Sequence, residues 1–218
     1  MGEAIFLSAA VPDPRRGPEY SSTADTVAIT AAVSALVHVV LGRRPLIWGG
    51  QPAITPMILV VAEAMRIDYG QWVHLYQSRF FEDEFPEDNA EFANVTFTEA
   101  VTGNREASLE AMRVRMFSET SFGSAVFIGG MGGIIDEYEL FRRMQPQAMI
   151  LPVAATGGAT LEVVKRMGAI LPDLADDRDY VTLFHHYLGV SVREKRYARP
   201  SDQPKAIEGR FWQPGDKA

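Results

Sequence analysis

The stretch FIGGMGGIIDEYELF, residues 127–141, starts at the end of a short apolar run, AVFI, and passes into a helical pattern. Gly129, Gly130, Gly132 and Gly133 fall between the two. An apolar run bounded by glycine and followed by an amphipathic segment reads as a strand, a tight turn and a helix. Glycine loses more conformational entropy on folding than any other residue, so a cluster of four implies that something must approach the backbone closely. Asp136 and Glu137 lie in the first turn of the following helix, where its dipole favours acids. Adjacent helical residues diverge by about 100°, so one of the two is expected to face the cleft.

The same unit recurs in both directions. Residues 4–8 (AIFLS) read as a strand, and the loop VPDPRRGPEY, with three prolines, as an extended flap without helix. Ser22 and Asp25 resemble a capping box for a helix over 26–41, with Gly42 as its C-cap. A strand is expected at 45–48 and a tight turn at Gly49 and Gly50. Thr55-Pro56 then starts a helix that runs to about 68, where Gly70 stops it. Further strands are expected at 72–76, 95–98, 125–128 and 148–153. Asn104 should cap a helix to about 117, followed by helices at 134–144, up to Gly168, and at 179–188. The acidic FFEDEFPEDNAEF reads as loop or a short solvated helix. After Arg199 the chain is polar, with Phe211 and Trp212 as anchors on the body.

Alternating strands and helices predict an α/β fold: an open, mostly parallel sheet with helices on both faces. Right-handed crossovers bring the C-terminal ends of all strands to one edge. Four special turns share that edge: Ser8-Ala9-Ala10, Gly49-Gly50, Gly129 to Gly133, and Thr156-Gly157-Gly158. Ligands of open α/β sheets bind there, and helix N-termini suit phosphate. For Gly49 and Gly50 a plain tight turn is an equally good account. Neither a GxGxxG fingerprint nor a GxxxxGK[ST] loop is present.

Net charge is −7 and the isoelectric point about 5.2, which argues against a nucleic-acid partner. The absence of cysteine excludes disulfide and thiolate chemistry. The start MGEAIFLSAAVPDP does not read as a signal peptide, and the apolar runs are too short to span a bilayer, so a soluble cytoplasmic protein is expected. His185 and His186 are adjacent on a helix and diverge, and with no HExxH pattern no metal site is expected. Ser8 lies outside any GxSxG context and reads as a phosphate or ribose contact. Arg15, Arg16 and Tyr20 on the flap read first as part of a mobile exposed loop and second as groups that close over an anion. Arg79 ends the third strand and is expected to face the same edge. Trp48 and Met131 read as core residues or as the border of a base.

VFIGGMGGIIDE resembles a variant of the PGGxGTxxE signature of the lysine-decarboxylase-like phosphoribohydrolases, the LOG family. The first strand with its proline-rich loop, and WGGQPAITPMI, are more similar to the broader SLOG superfamily of Rossmann-like domains. The resemblance spans about residues 4–167. It implies a Rossmann-like fold and the sensing of a nucleotide or NAD-derived ligand, often in prokaryotic conflict systems. Gly129, Gly130 and Gly132 match the signature glycines. Gly133 stands where the signature has threonine, Asp136 where it has glutamate, and Ile128 where it has proline. The arginine of those hydrolases falls on Arg113, with Arg115 as the near alternative. A shorter carboxylate at 136 weakens the catalytic half of the signature more than the binding half.

The expectation is one Rossmann-like domain over 1–200 with a polar tail over 201–218, forming a homodimer and serving a separate effector protein. Ser8, Ala9, Gly49, Gly50, Arg79, Gly129, Gly130, Met131, Gly132 and Gly133 are expected around a nucleotide-type ligand, with Thr156 and Gly157 at its far end. No cofactor is expected. The alternative is a phosphoribohydrolase acting on nucleoside 5′-monophosphates, with Asp136, Glu137 and Arg113 catalytic. A third possibility is a scaffold whose glycines only pack.

Overall fold

The computed structural model describes residues 4–65, 67–169 and 171–213. Its strands are β1 (Ala4–Ala10), β2 (Leu46–Trp48), β3 (Val73–Ser78), β4 (Val95–Thr98), β5 (Phe122–Gly129) and β6 (Met149–Val153). They form one sheet in the order β4-β3-β2-β1-β5-β6, and every neighbouring pair is parallel. The helices are α1 (Pro18–Ser21), α2 (Thr26–Val40), α3 (Thr55–Met65), α4 (Tyr69–Trp72), α5 (Arg105–Glu119), α6 (Gly132–Met144), α7 (Thr160–Met167), α8 (Pro172–Asp176) and α9 (Tyr180–Tyr187). This is the Rossmann-like open α/β fold expected from the sequence.

Alternation along the strands builds a core on each face. Ile5 and Leu7 of β1, with Val126 and Ile128 of β5, pack against α2, α3 and α9. Phe6 and Phe127 point the other way, towards α5, α6 and α7. Phe6 sits among Phe117, Phe122, Phe127 and Phe141, with ring centroids 4.9–6.1 Å apart. Chain progression runs outward from β1 through β2 and β3 to β4. α5 then carries the chain back across the sheet to β5, and α6 moves it outward the other way. The order therefore reverses between β1 and β5.

Several local readings are corrected. Pro18 begins the single-turn α1 rather than preventing it, because proline at N1 donates no amide that a helix would need. Asp25 alone caps α2: its carboxylate accepts from the Ala28 amide at 3.0 Å, and that bond holds it below the usual carboxylate range. Ser22 instead donates back to Glu19 O. Gly70 lies inside the short helix α4, so it does not stop α3. α8 was not expected; Pro172 at its first turn and buried Leu174 define it. The acidic stretch winds into two 3-10 turns, Arg79–Glu84 and Glu87–Glu91.

The chain beyond α9 docks on the opposite edge of the sheet from the glycine turns. Glu194, 1% exposed, receives two bonds from Arg44, at 2.5 and 3.1 Å, and lies 3.9 Å from Arg210. Phe211 bridges Glu194 in antiparallel fashion, and the Trp212 amide donates to Arg193 O. Burial, with Arg43 beside it, pushes Arg196 down to about 10. Glu194→Leu takes the carboxylate from the buried Arg44 guanidinium, so a loss of about 3–5 kcal/mol is expected in urea unfolding.

Candidate functional site

The reversal of strand order places the ends of β1 and β5 side by side, the position at which open α/β sheets form a crevice. Ala10 pairs with Gly129, and the Gly130 amide donates to Ala10 O at 2.8 Å. Immediately beyond, Met131 precedes α6 without a side-chain cap, and Gly132 and Gly133 open the helix. First-turn amides have no partner inside a helix, so this start presents free donors and the positive end of a thirteen-residue dipole.

The four glycines divide into two pairs. Gly129 and Gly130 have φ of +61° and +75°. A Cβ at 129 would lie 2.5 Å from Ile29 Cδ1, and one at 130 would fall inside the Ile134 side chain. Their small size is therefore explained by packing and left-handed backbone. Gly132 meets nothing within 4 Å, and Gly133 faces the Arg113 guanidinium at 3.2 Å. The open half of the cluster is thus its second half.

Arg113, the match to the hydrolases' arginine, is buried. Its Nε donates to Glu137 at 3.2 Å, its Nη2 to Gly133 O at 3.1 Å, and its Nη1 lies 3.7 Å from Asp136. Ser8 Oγ donates to the other Glu137 oxygen at 2.5 Å. Glu137 thus turns inward and ties β1, α5 and α6 together, whereas the Asp136 side chain is 61% exposed. Arg115 pairs with Glu119 at 2.9 Å, away from this group. A cleft of about 330 Å³ runs along α5 and α6 past Arg113 and Asp136, and Glu106, Glu110, Glu139 and Arg143 also line it. Its carboxylates make it a poor seat for phosphate compared with the start of α6.

Thr156 is fully buried and braces the turn: it accepts from the Gly129 amide at 2.9 Å and donates to Val153 O at 2.6 Å. Thr160, which the sequence reading passed over, donates to Gly129 O. Gly157 has φ +68° and packs against Thr23 O. Gly50 packs on Gln77, while Gly49, one strand from β1, faces Met112 Cε at 3.3 Å. Ala9 lies in register with Ile128 at the crevice floor. Arg79 is held by Glu82 and Glu99 over the Phe97 ring, at the β3–β4 end of the edge. Gly17 of the flap packs on Met131, so exposed Arg15 and Arg16 stand near the start of α6. Among the described residues no group of three or more His, Asp and Glu side chains is placed to hold a metal ion.

A parallel, doubly wound sheet with an uncapped helix start at its switch point defines a Rossmann-like ligand-binding domain. The chain belongs to the SLOG cluster3 family, whose model matches residues 19–188. A comparison with curated proteins finds no match. Family and fold together support a general nucleotide- or ligand-binding role. No helix among the described residues is long and apolar enough to cross a membrane.

The two glycine pairs should respond differently to alanine. Gly130→Ala meets Ile134 and a left-handed backbone, for which strain of at least 1–2 kcal/mol, roughly, is expected. Gly132→Ala enters open space at a helical position and should leave the melting temperature unchanged. Ser8→Ala removes a bond to a charged partner and should cost about 1.5–3 kcal/mol in denaturant unfolding.

Proposed function

We propose that the protein binds a phosphorylated, nucleotide-type or NAD-derived small molecule at the β1–β5 switch point and acts as a sensor. The phosphate sits on the amides of Gly132 and Gly133, and the flap supplies Arg15 and Arg16 as counter-charge. Ser8, Ala9, Gly49, Gly50, Gly129, Gly130 and Met131 form the walls. Thr156 and Gly157 bound the far side, and Arg79 lies towards the β4 end. The observation that carries the reading is the uncapped start of α6, with open space at Gly132, at the one place where the strand order reverses. In this reading residues 1–200 are the sensing domain and 201–218 its tail. The protein works in the cytoplasm as a homodimer and reports to a separate effector.

Sensing is favoured over hydrolysis by the state of the two acids. Glu137 is engaged on both oxygens, by Ser8 and Arg113. Asp136 is the shorter acid at the signature position. A nucleotide phosphoribohydrolase remains the second reading because Asp136 and Arg113 line one cleft.

The test is a panel of nucleoside monophosphates and NAD. A ligand at about 100 times its Kd adds about 2.7 kcal/mol. In a chain of this size that raises the melting temperature by roughly 5–10 °C. The expected result is such a rise without release of free base. Base release that disappears in Asp136→Asn would establish the hydrolase instead, and neither response would leave a packing scaffold.

A further inference from the structure

Trp48 ends β2, directly before Gly49, and is 2% exposed. Its Nε1 donor has no hydrogen-bond partner among the described residues, and neither has Asn89 Nδ2. The two residues share one neighbourhood. Phe92 packs its ring on the Trp48 indole at 5.7 Å, and its amide donates to Asn89 O at 3.3 Å. Asn89 Oδ1 lies 3.5 Å from the hydroxyl of Thr55, the first residue of α3. Thr55 is fully buried, and its other contact, with Gln51 O, is also 3.5 Å. Buried donors are nearly always paired, because an orphan loses its water without return. Here two orphans and two long bonds gather at the start of an eleven-residue helix, on the same sheet edge as Gly132.

The acidic segment 79–92 reaches this place with its last turn, through Asn89 and Phe92. Its two 3-10 turns bury no residue, and Phe92, 4% exposed, anchors its end. It carries Glu82, Asp83, Glu84, Glu87, Asp88 and Glu91, which repel a phosphate and leave an uncharged acceptor as the fitting guest. β2 and β5 are separated by β1 alone, two strand spacings or roughly 10 Å along this edge, with α3 and α6 on opposite faces of the sheet, so the ligand lies across the edge.

We propose that segment 79–92 is a strap over a base subsite. When it opens, Trp48 Nε1 and the hydroxyl of Thr55, at the start of α3, bind a carbonyl oxygen or ring nitrogen of the ligand's base. The phosphate meanwhile stays at Gly132 and Gly133. The inference rests on the nucleotide reading above and adds where the base goes and which of its atoms are recognised.

Trp48→Phe keeps the ring packing and deletes the donor. The probes are AMP, GMP, CMP and UMP, with ribose 5-phosphate as the ligand without a base. The tightest-binding nucleotide should weaken about two- to tenfold, the worth of one hydrogen bond, with ribose 5-phosphate unaffected. Unchanged nucleotide affinity, or an equal loss for ribose 5-phosphate, overturns the subsite. A Thr55→Cys, Asn89→Cys pair, in a chain otherwise without cysteine, tethers the strap when oxidised. The oxidised protein should lose nucleotide binding, keep ribose 5-phosphate, and recover on reduction; nucleotide binding by the tethered form overturns the strap. Wild-type protein that binds ribose 5-phosphate as tightly as any nucleotide sinks the subsite and spares the phosphate reading. Binding of neither sinks both.

Discussion

The pairing of β1 with β5 constrains everything else in this molecule. On one side of that seam β2 and β3 are reached by crossovers through α2 and α3 and β4 through the two 3-10 turns, and β6 on the other side is reached through α6. The divergence marks the place where open α/β sheets form a crevice, bordered here by Gly17 of the flap against Met131 and by Gly158 beyond β6 against Gly129 and Gly130. The start of α6 projects into it because the Gly130 amide is fastened to Ala10 O. Ser8 and Glu137 then lock the helix to the first strand from within. The crevice is a consequence of connectivity, and the side chains around it set its charge.

That charge is arranged economically. Arg113 is buried where a lone cation would be costly, and Glu137 neutralises it at hydrogen-bond distance. The pair therefore acts as a brace between α5 and α6, and the unsatisfied positive potential belongs to the helix start and the flap. Asp136, one residue along, is turned outward by the helical rotation. Of the two adjacent acids, Glu137 is thus engaged by Ser8 and Arg113, and Asp136 stands at the surface.

Much of the fold was legible because burial and periodicity coincide in it. β4 was placed residue for residue at 95–98, and Asn104 caps α5 as read. α8 escaped notice because five residues carry too little periodicity to register. Gly70 misled because glycine ends many helices, whereas here it sits in α4 against Ala93. At the candidate site, the glycine turns were legible by pattern, and Arg113 was singled out through the family resemblance. The division of labour within Gly129 to Gly133 was not, since it depends on Ile29 and Ile134 filling the space beside the first two. Nor was the inward turn of Glu137, because adjacent acids look alike until the helix phase is known. Trp48 read as core or as the border of a base, and it is buried; that its donor lacks an acceptor among the described residues depends on where residues 79–92 lie.

The seam between β1 and β5 also fixes a schedule for synthesis. The ribosome delivers β1 first, and β2 follows soon enough to cover one of its sides. The other side must wait until Phe122–Gly129 emerges, a delay of roughly 6–20 s at ordinary elongation rates. For that interval an apolar strand shows an open edge, which invites pairing with other nascent chains. β1 therefore shows an open edge for longer than any strand of this sheet whose partner follows it directly in the chain.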